Sequence, residues 1–397
     1  MRAKKPSNLL LGVASGISPF GMAIAIPTIE SFAQLYQAPY STVQFIISAY
    51  LLGLASSMPL VGFLSDKIGR RPVLISGLIL FVIASIFCST TDSLNSLIFW
   101  RVIQGIGASV CSVMARAMIR DVSNASETAR SLSRVTAIMG ISPMIAPVIG
   151  GIGYQIFGNP NGIFIITAAI GILVLTAILL LLPETRNAAL VESASKEPWS
   201  DKYKYLLGSK VFVGSSLIYA FTTGAFFAIL TVASTVFYND LGIDSAGFGF
   251  IWSCLTILYT VSAFMAGTLS SKYGLMKVLL VGVLLNVIAG LLFYSLVKVF
   301  DVTLISVIVP LVIMFFAHGY IVPMSLAQAV SARPEIAGSS SGLSSALGLV
   351  IGGMFSVLSG LVFDGRLLPI ALIVSASTIL CGLSYCLVLS GKRKNTA

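Results

Sequence analysis

The chain has 397 residues, of which 57% are hydrophobic and 10% charged, with a formal net charge of +10 and a mean hydropathy of +0.99. A soluble domain carries about 25% charged residues, so the composition excludes a water-soluble fold and predicts an all-α integral membrane protein. The positive charge invites a nucleic-acid partner, but its placement along the chain reads as a topology signal, and no nucleic acid is expected.

Apolar runs of ~20 residues can each cross ~30 Å of hydrocarbon as a helix. They predict twelve transmembrane helices, at roughly 8–31, 41–63, 73–91, 95–119, 131–155, 161–183, 211–238, 246–270, 275–296, 302–327, 338–362 and 368–390. The first follows a basic start, but it is too long for a signal peptide and lacks a cleavage site, so it is read as a retained helix. Glu30 lies near its outer end. Spans 2 and 3 join through "GFLSDKIGRRPVL" from Gly62, where Gly62 and Gly69 are expected to allow a tight turn and Asp66 is the lone acid among Lys67, Arg70 and Arg71.

Span 4 contains Arg101, Gln104 and Arg116 and ends beside Arg120 and Asp121. At ~100° per residue, Arg101, Gly105, Ser112 and Arg116 share one face. A guanidinium inside a membrane is costly enough to mark a functional site. Arg101, with Glu30 as its expected partner, and Arg116 are therefore candidates for a substrate cavity, with snorkelling to the nearer surface as the alternative for Arg116. Span 5 combines Pro143 and Pro147 with Gly150 and Gly151, a pattern of kinks and close helix approach.

Residues 184–210 form the longest polar segment. It divides the chain into a six-helix half at 1–185, a linker at 186–208 and a second six-helix half at 209–397. In the second half, Tyr219, Thr222 and Thr223 of span 7 and His318 of span 10 complete the cavity candidates. His318 is the only histidine, and its near-neutral pKa makes it, with Glu30, a candidate coupling group, the alternative being a hydrogen-bonded packing residue.

Of the 24 Lys and Arg, all but Arg101, Lys298 and Arg366 lie in or beside the loops of one side. By the positive-inside rule both termini are expected in the cytoplasm. The five cysteines sit in apolar spans without metal-ligand spacing and read as small packing residues. No metal site, cofactor or catalytic constellation is visible, so an enzyme is not expected.

The two halves echo each other. "GTLSSKYGLMKVLL" from Gly267 overlays "GFLSDKIGRRPVL" at a constant separation of 205 residues, matching Gly62 with Gly267, Leu64 with Leu269, Ser65 with Ser270, Lys67 with Lys272, Gly69 with Gly274 and Val73 with Val278. The second copy lacks Asp66, Arg70 and Arg71. A further echo, 202 residues apart, pairs Gly150 and Gly151 with Gly352 and Gly353. Parallel repeats that rock about a shared midplane site are a known solution for secondary transport.

These residues carry a family resemblance. "GFLSDKIGRRPVL" resembles the loop 2–3 motif of the major facilitator superfamily, and "RVIQGIGAS" from Arg101 is similar to its helix 4 motif. "APVIGG" resembles the helix 5 motif of its exporters, with Ala146 where many have Gly. "RAMIRDVSNASETAR" followed by "SPMIAPVIGG" resembles the Bcr/CflA drug-resistance branch. The resemblance implies the major facilitator fold, two pseudo-symmetric six-helix bundles. It also implies that Asp66 bridges to the start of helix 11, near "EIAGSSSG" from Glu335, and that helix 5 seals against the other half.

The family pattern breaks in span 1. Exporters of this branch carry an acid before a Pro-rich run, whereas this chain reads "GISPFGMAIAIPTIE", with Ser18, Pro19, Phe20 and Gly21 preceding Pro27. The expectation is a monomeric secondary transporter of the bacterial cytoplasmic membrane that exports a small organic molecule, with or without proton coupling. The alternative is an uptake or facilitated-diffusion permease for an anionic or zwitterionic metabolite, amino acid or siderophore, a preference argued from Arg101 and the scarcity of acids.

Overall fold

Lipid offers no hydrogen bonds to a bare backbone, so apolar spans of this length must close their own N–H and C=O groups as helices. The computed structural model describes residues 5–43, 45–186, 198–243, 245–300 and 302–396, and among these there is no strand. Among the described residues, twelve helical spans are long and apolar enough to cross a membrane, the first of them Asn8–Thr28. Their α-helices are α1 (Asn8–Ala23), α2 (Phe45–Ile68), α3 (Arg70–Thr90), α4 (Leu94–Val122), α5 (Ala125–Phe157), α6 (Ile163–Leu181), α7 (Lys210–Asn239), α8 (Ser245–Tyr273), α9 (Leu275–Phe300), α10 (Leu304–Val330), α11 (Ala337–Val362) and α12 (Leu368–Thr396).

Span 1 departs from one continuous helix. After α1 the chain narrows to a 3-10 turn at Ile26–Thr28, opened by Pro27, and resumes as a short helix at Ile29–Tyr36. Pro27 has no N–H to donate, which ends the α-helical ladder there. Residues 187–197 of the expected linker lie outside the described residues; its far end forms a helix at Trp199–Gly208.

The packing repeats as the sequence does. In the first half, α4 packs on α1, α2 and α3, while α6 packs on α1 and α3; in the second, α10 packs on α7, α8 and α9, and α12 on α7 and α9. Adding six to each helix number of the first set gives the second. The hairpins repeat too. A single residue, Gly69, separates α2 from α3 at φ +101°, and a single residue, Gly274, separates α8 from α9 at φ +87°. A turn this short needs the left-handed region that glycine enters without penalty. Gly62, expected to share in the turn, instead lies inside α2, and a different constraint holds it.

Two units emerge from the contacts, and each takes one segment from the other half of the sequence. One comprises Met1–Val122, Ile138–Lys202 and Pro334–Leu343; the other comprises Ser123–Ala137, Tyr203–Arg333 and Ser344–Ala397. The first turns of α11 thus belong with the amino-terminal helices, and the first turns of α5 belong with the carboxyl-terminal ones.

Candidate functional site: a buried charge network and an arginine hub

The first unit buries an ion network where α2 and α3 meet. Asp66, in the last turn of α2, is fully buried. Its Oδ1 accepts from Arg70 Nη1 at 2.6 Å and from the Gly338 N–H at 3.2 Å, and its Oδ2 accepts from the Ser339 N–H at 2.9 Å and from Ser339 Oγ. Gly338 and Ser339 stand in the first turn of α11, where N–H groups have no partner within the helix. The carboxylate therefore caps α11 from another helix, with the helix dipole adding to the attraction.

Arg70 is equally buried and is held from both sides. Its Nε donates to Asp121 Oδ2 at 2.9 Å, its Nη2 to Asp121 Oδ1 at 3.3 Å, and its Nη1 also to Ser65 Oγ at 2.7 Å. The two-point contact with Asp121 is the fork geometry that makes guanidinium–carboxylate pairs strong. Opposite, Glu184 caps α3: its Oε1 accepts from the Arg70 N–H at 3.2 Å and its Oε2 from the Arg71 N–H at 3.0 Å. Arg71 turns outward and donates to the Leu179 carbonyl at 2.7 Å. Arg186 places Nη1 3.5 Å from Asp66 Oδ1 and donates from Nη2 to the Glu335 carbonyl at 3.1 Å. Burial, reinforced by the positive charge of Arg70, pushes the Arg186 guanidinium below its usual value, against the pull of Asp66, Asp121 and Glu184. It stays charged at any physiological pH.

Gly62 explains the fit of α11 against α2. A Cβ at Gly62 would collide with the Gly338 carbonyl, and one at Gly342 would collide with the Met58 carbonyl. The glycine spacing lets two backbones touch, as small residues do in membrane interfaces, and delivers the α11 terminus to Asp66.

The structure therefore joins Asp66, Gly69, Arg70 and Asp121 in one network and adds Ser65, Glu184 and Arg186, which sequence reasoning left out. Glu184 and Arg186 had a signal: "PETR" places two charges directly after an apolar span, yet they read only as the start of the long polar segment. Arg120, half-buried, stands next to Asp121.

Arg101, expected in a substrate cavity, is the second centre. It is fully buried inside the first unit. Its Nε donates to the Ile46 carbonyl at 3.0 Å, and its Nη1 to the Gly21 carbonyl at 2.9 Å and to Gln104 Oε1 at 2.5 Å. The guanidinium carbon stands 4.4 Å from the Tyr50 ring centroid and 5.5 Å from that of Phe164. Gln104 passes the chain on to Ser85 Oγ at 2.7 Å. Backbone carbonyls and ring faces solvate the charge in place of a carboxylate, so Arg101 ties α1, α2, α4 and α6 together. The side chain of Glu30, its expected partner, lies outside the described residues. Arg116 does not snorkel: it is buried and donates from Nε to Ser341 Oγ at 2.9 Å, which itself donates to the Val113 carbonyl at 3.1 Å.

In the second unit, Tyr219 and Thr223 lie on the α7 face against Gly348 and Gly352 of α11, and Thr223 Oγ1 donates to the Tyr219 carbonyl at 2.9 Å. Thr222 lies 3.3 Å from Cys381 Sγ. His318 is buried, with Nδ1 3.2 Å from the Met314 carbonyl and its ring 5.8 Å from Phe226. In α5, Pro143 and Pro147 lie inside the helix. A Cβ at Gly150 would strike the Ile24 carbonyl, while Gly151 has open space around it.

Twelve spans in two matching sets, with glycine-tight hairpins and a buried ion network at the end of α2, define a membrane transporter of the two-bundle kind. The sequence profile described as Major Facilitator Superfamily matches residues 11–357, and the chain belongs to that family. It is 21% identical over 389 residues to the bicyclomycin resistance protein homolog of Haemophilus influenzae, covering 98% of this chain and 97% of that protein. It is 34% identical over 217 residues to the multidrug resistance protein MdtL of Escherichia fergusonii, covering 55% and 54% respectively. The crystal structure of the human organic anion transporter MFSD10 shares the fold with a TM-score of 0.74 at 17% identity, over 96% of this chain and 98% of that one.

Proposed function

We propose that this chain exports a small organic molecule from the bacterial cytoplasm by alternating access, with both termini in the cytoplasm and the Asp66 network acting as a cytoplasmic latch. One observation carries the reading: the Asp66 carboxylate seated on the first turn of α11 and clamped by Arg70. A segment of the second sequence half is thereby held on the first unit by bonds that can open together, as a two-state device requires. Export is supported by the drug-resistance names of the two relatives.

Everted membrane vesicles test direction and coupling together. Uptake of bicyclomycin or of a compound from a lipophilic panel, driven by an imposed proton gradient and lost in Asp66→Asn, supports proton-coupled export. Accumulation only in right-side-out vesicles refutes export.

One observation favours a permease as the second reading. Where related exporters are expected to carry an acid, α1 has Ser18, whose Oγ donates to the Ala108 carbonyl at 2.6 Å, leaving no proton-carrying group there. Transport indifferent to an imposed proton gradient in both vesicle orientations supports this second reading. The Nε and Nη1 donors of Arg101 bond within the first unit, but its buried Nη2 has no hydrogen-bond partner among the described residues, so the anion preference argued from that residue belongs to this second reading.

A further inference from the structure

The second copy of the hairpin poses its own question. Position 271, which corresponds to Asp66, is Ser271, yet the segment that docks there is basic. A Cβ at Gly267 would come within 2.7 Å of Ser133 Cβ and 3.3 Å of the Arg130 carbonyl, so the first turns of α5 lie on α8 as the start of α11 lies on α2. The register is the same: Ser133 and Gly338, the residues met at Gly267 and Gly62, are themselves 205 positions apart.

Arg130 and Arg134 flank this contact, one turn apart on a single face of α5. Both are exposed, and no hydrogen bond or ion pair joins either to a carboxylate among the described residues. With Phe264, Met265 and Leu269 of α8 they line an open groove of about 510 Å³. Phe264 and Met265 are 46% and 43% exposed, on a helix long and apolar enough to cross the membrane. The groove is thus cationic at the end of the span where the basic loops cluster and apolar along its wall. That is the profile of a phospholipid, with an anionic head and hydrocarbon tails.

We propose that this groove binds an anionic phospholipid of the surrounding bilayer, its phosphate between Arg130 and Arg134 and an acyl chain along Phe264, Met265 and Leu269. Guanidinium groups suit phosphate oxygens because they donate in a planar fork. The lipid supplies from outside the negative charge that Asp66 supplies from within the chain in the first copy, and so ties the start of α5 to α8. The site is independent of substrate and of transport direction.

Native mass spectrometry of the delipidated full-length protein tests this with added phosphatidylglycerol, phosphatidylcholine and inorganic phosphate as separate probes. Phosphatidylglycerol is expected to be retained over phosphatidylcholine. The R130Q/R134Q variant should lose affinity for it by roughly 30-fold, at about 1 kcal/mol per basic residue near a lipid surface, while R130K/R134K keeps most of it. Leu269→Trp, which fills the apolar wall and leaves both arginines, should also weaken retention. Equal retention of the two lipids by the unaltered protein overturns the proposal, whatever the variants do. So does unchanged retention by R130Q/R134Q. Displacement of phosphatidylglycerol by inorganic phosphate at matched concentration also overturns it, because it makes the pair a site for free anions.

Discussion

The two hairpins of this chain share a plan and differ in how the incoming helix end is satisfied. At α2–α3 the arriving segment is a helix terminus: α11 begins at Ala337, and the N–H groups of Gly338 and Ser339 need an acceptor. At α8–α9 the arriving residue, Ser133, is already two turns into α5, whose first turn is capped locally by Asn124 Oδ1 accepting from the Glu127 N–H at 2.9 Å. An acid at position 66 therefore has free donors to bind, and one at position 271 would find them spent inside a helix. The difference teaches that the repeat conserves geometry, while the charges follow from where each docking helix starts.

The sharpest break comes from Asp66→Ala. It leaves the buried Arg70 with Asp121 as its one carboxylate partner among the described residues and uncaps α11, a loss of about 3–5 kcal/mol by comparison with other halved buried ion pairs. The thermal midpoint of the purified protein should fall steeply and substrate flux should cease. Adding Ser271→Asp to an Asp66→Asn background should restore neither, because the second hairpin has no orphan N–H to cap. Rescue would show the two copies to be interchangeable.

Next in size is Gly62→Ala, whose methyl meets a backbone carbonyl that cannot move aside. A cost of about 1–3 kcal/mol is expected for such overpacking. Gly267→Ala should cost less, since its nearest contact, Ser133 Cβ at 2.7 Å, overlaps less deeply than the Gly338 carbonyl does at Gly62; comparing the two midpoints ranks the docking contacts. Asn124→Ala removes only a local cap and should cost about 1 kcal/mol, with flux retained. Loss of flux there would mean that the start of α5 acts as a latch in its own right.

The smallest effect is expected at Gly151→Ala and Gly353→Ala. These repeat-related positions have no neighbour within 4 Å of an added Cβ. Midpoints should hold or rise slightly, since alanine is favoured over glycine inside a helix by about 1 kcal/mol. A sharp loss at either would reveal a close packing partner that this conformation does not show.

What the sequence determined by itself was the number and placement of the spans and the internal repeat; the seat of Asp66 on α11 was implied only by the family resemblance. Hydrophobic length is a local property that lipid converts directly into helix, and a motif 205 residues apart is visible without coordinates. Tertiary structure decided the fate of the charges. Arg101 looked costly enough to be a cavity residue, and carbonyls of Ile46 and Gly21, far apart in sequence, hold its Nε and Nη1 in place. Glu184 and Arg186 looked like the start of a polar connecting segment, yet the chain folds them back onto Arg70 and Asp66. Whether a polar group is a site or a strut depends on which acceptors other helices bring within about 3 Å, and that distance is set only when the helices pack.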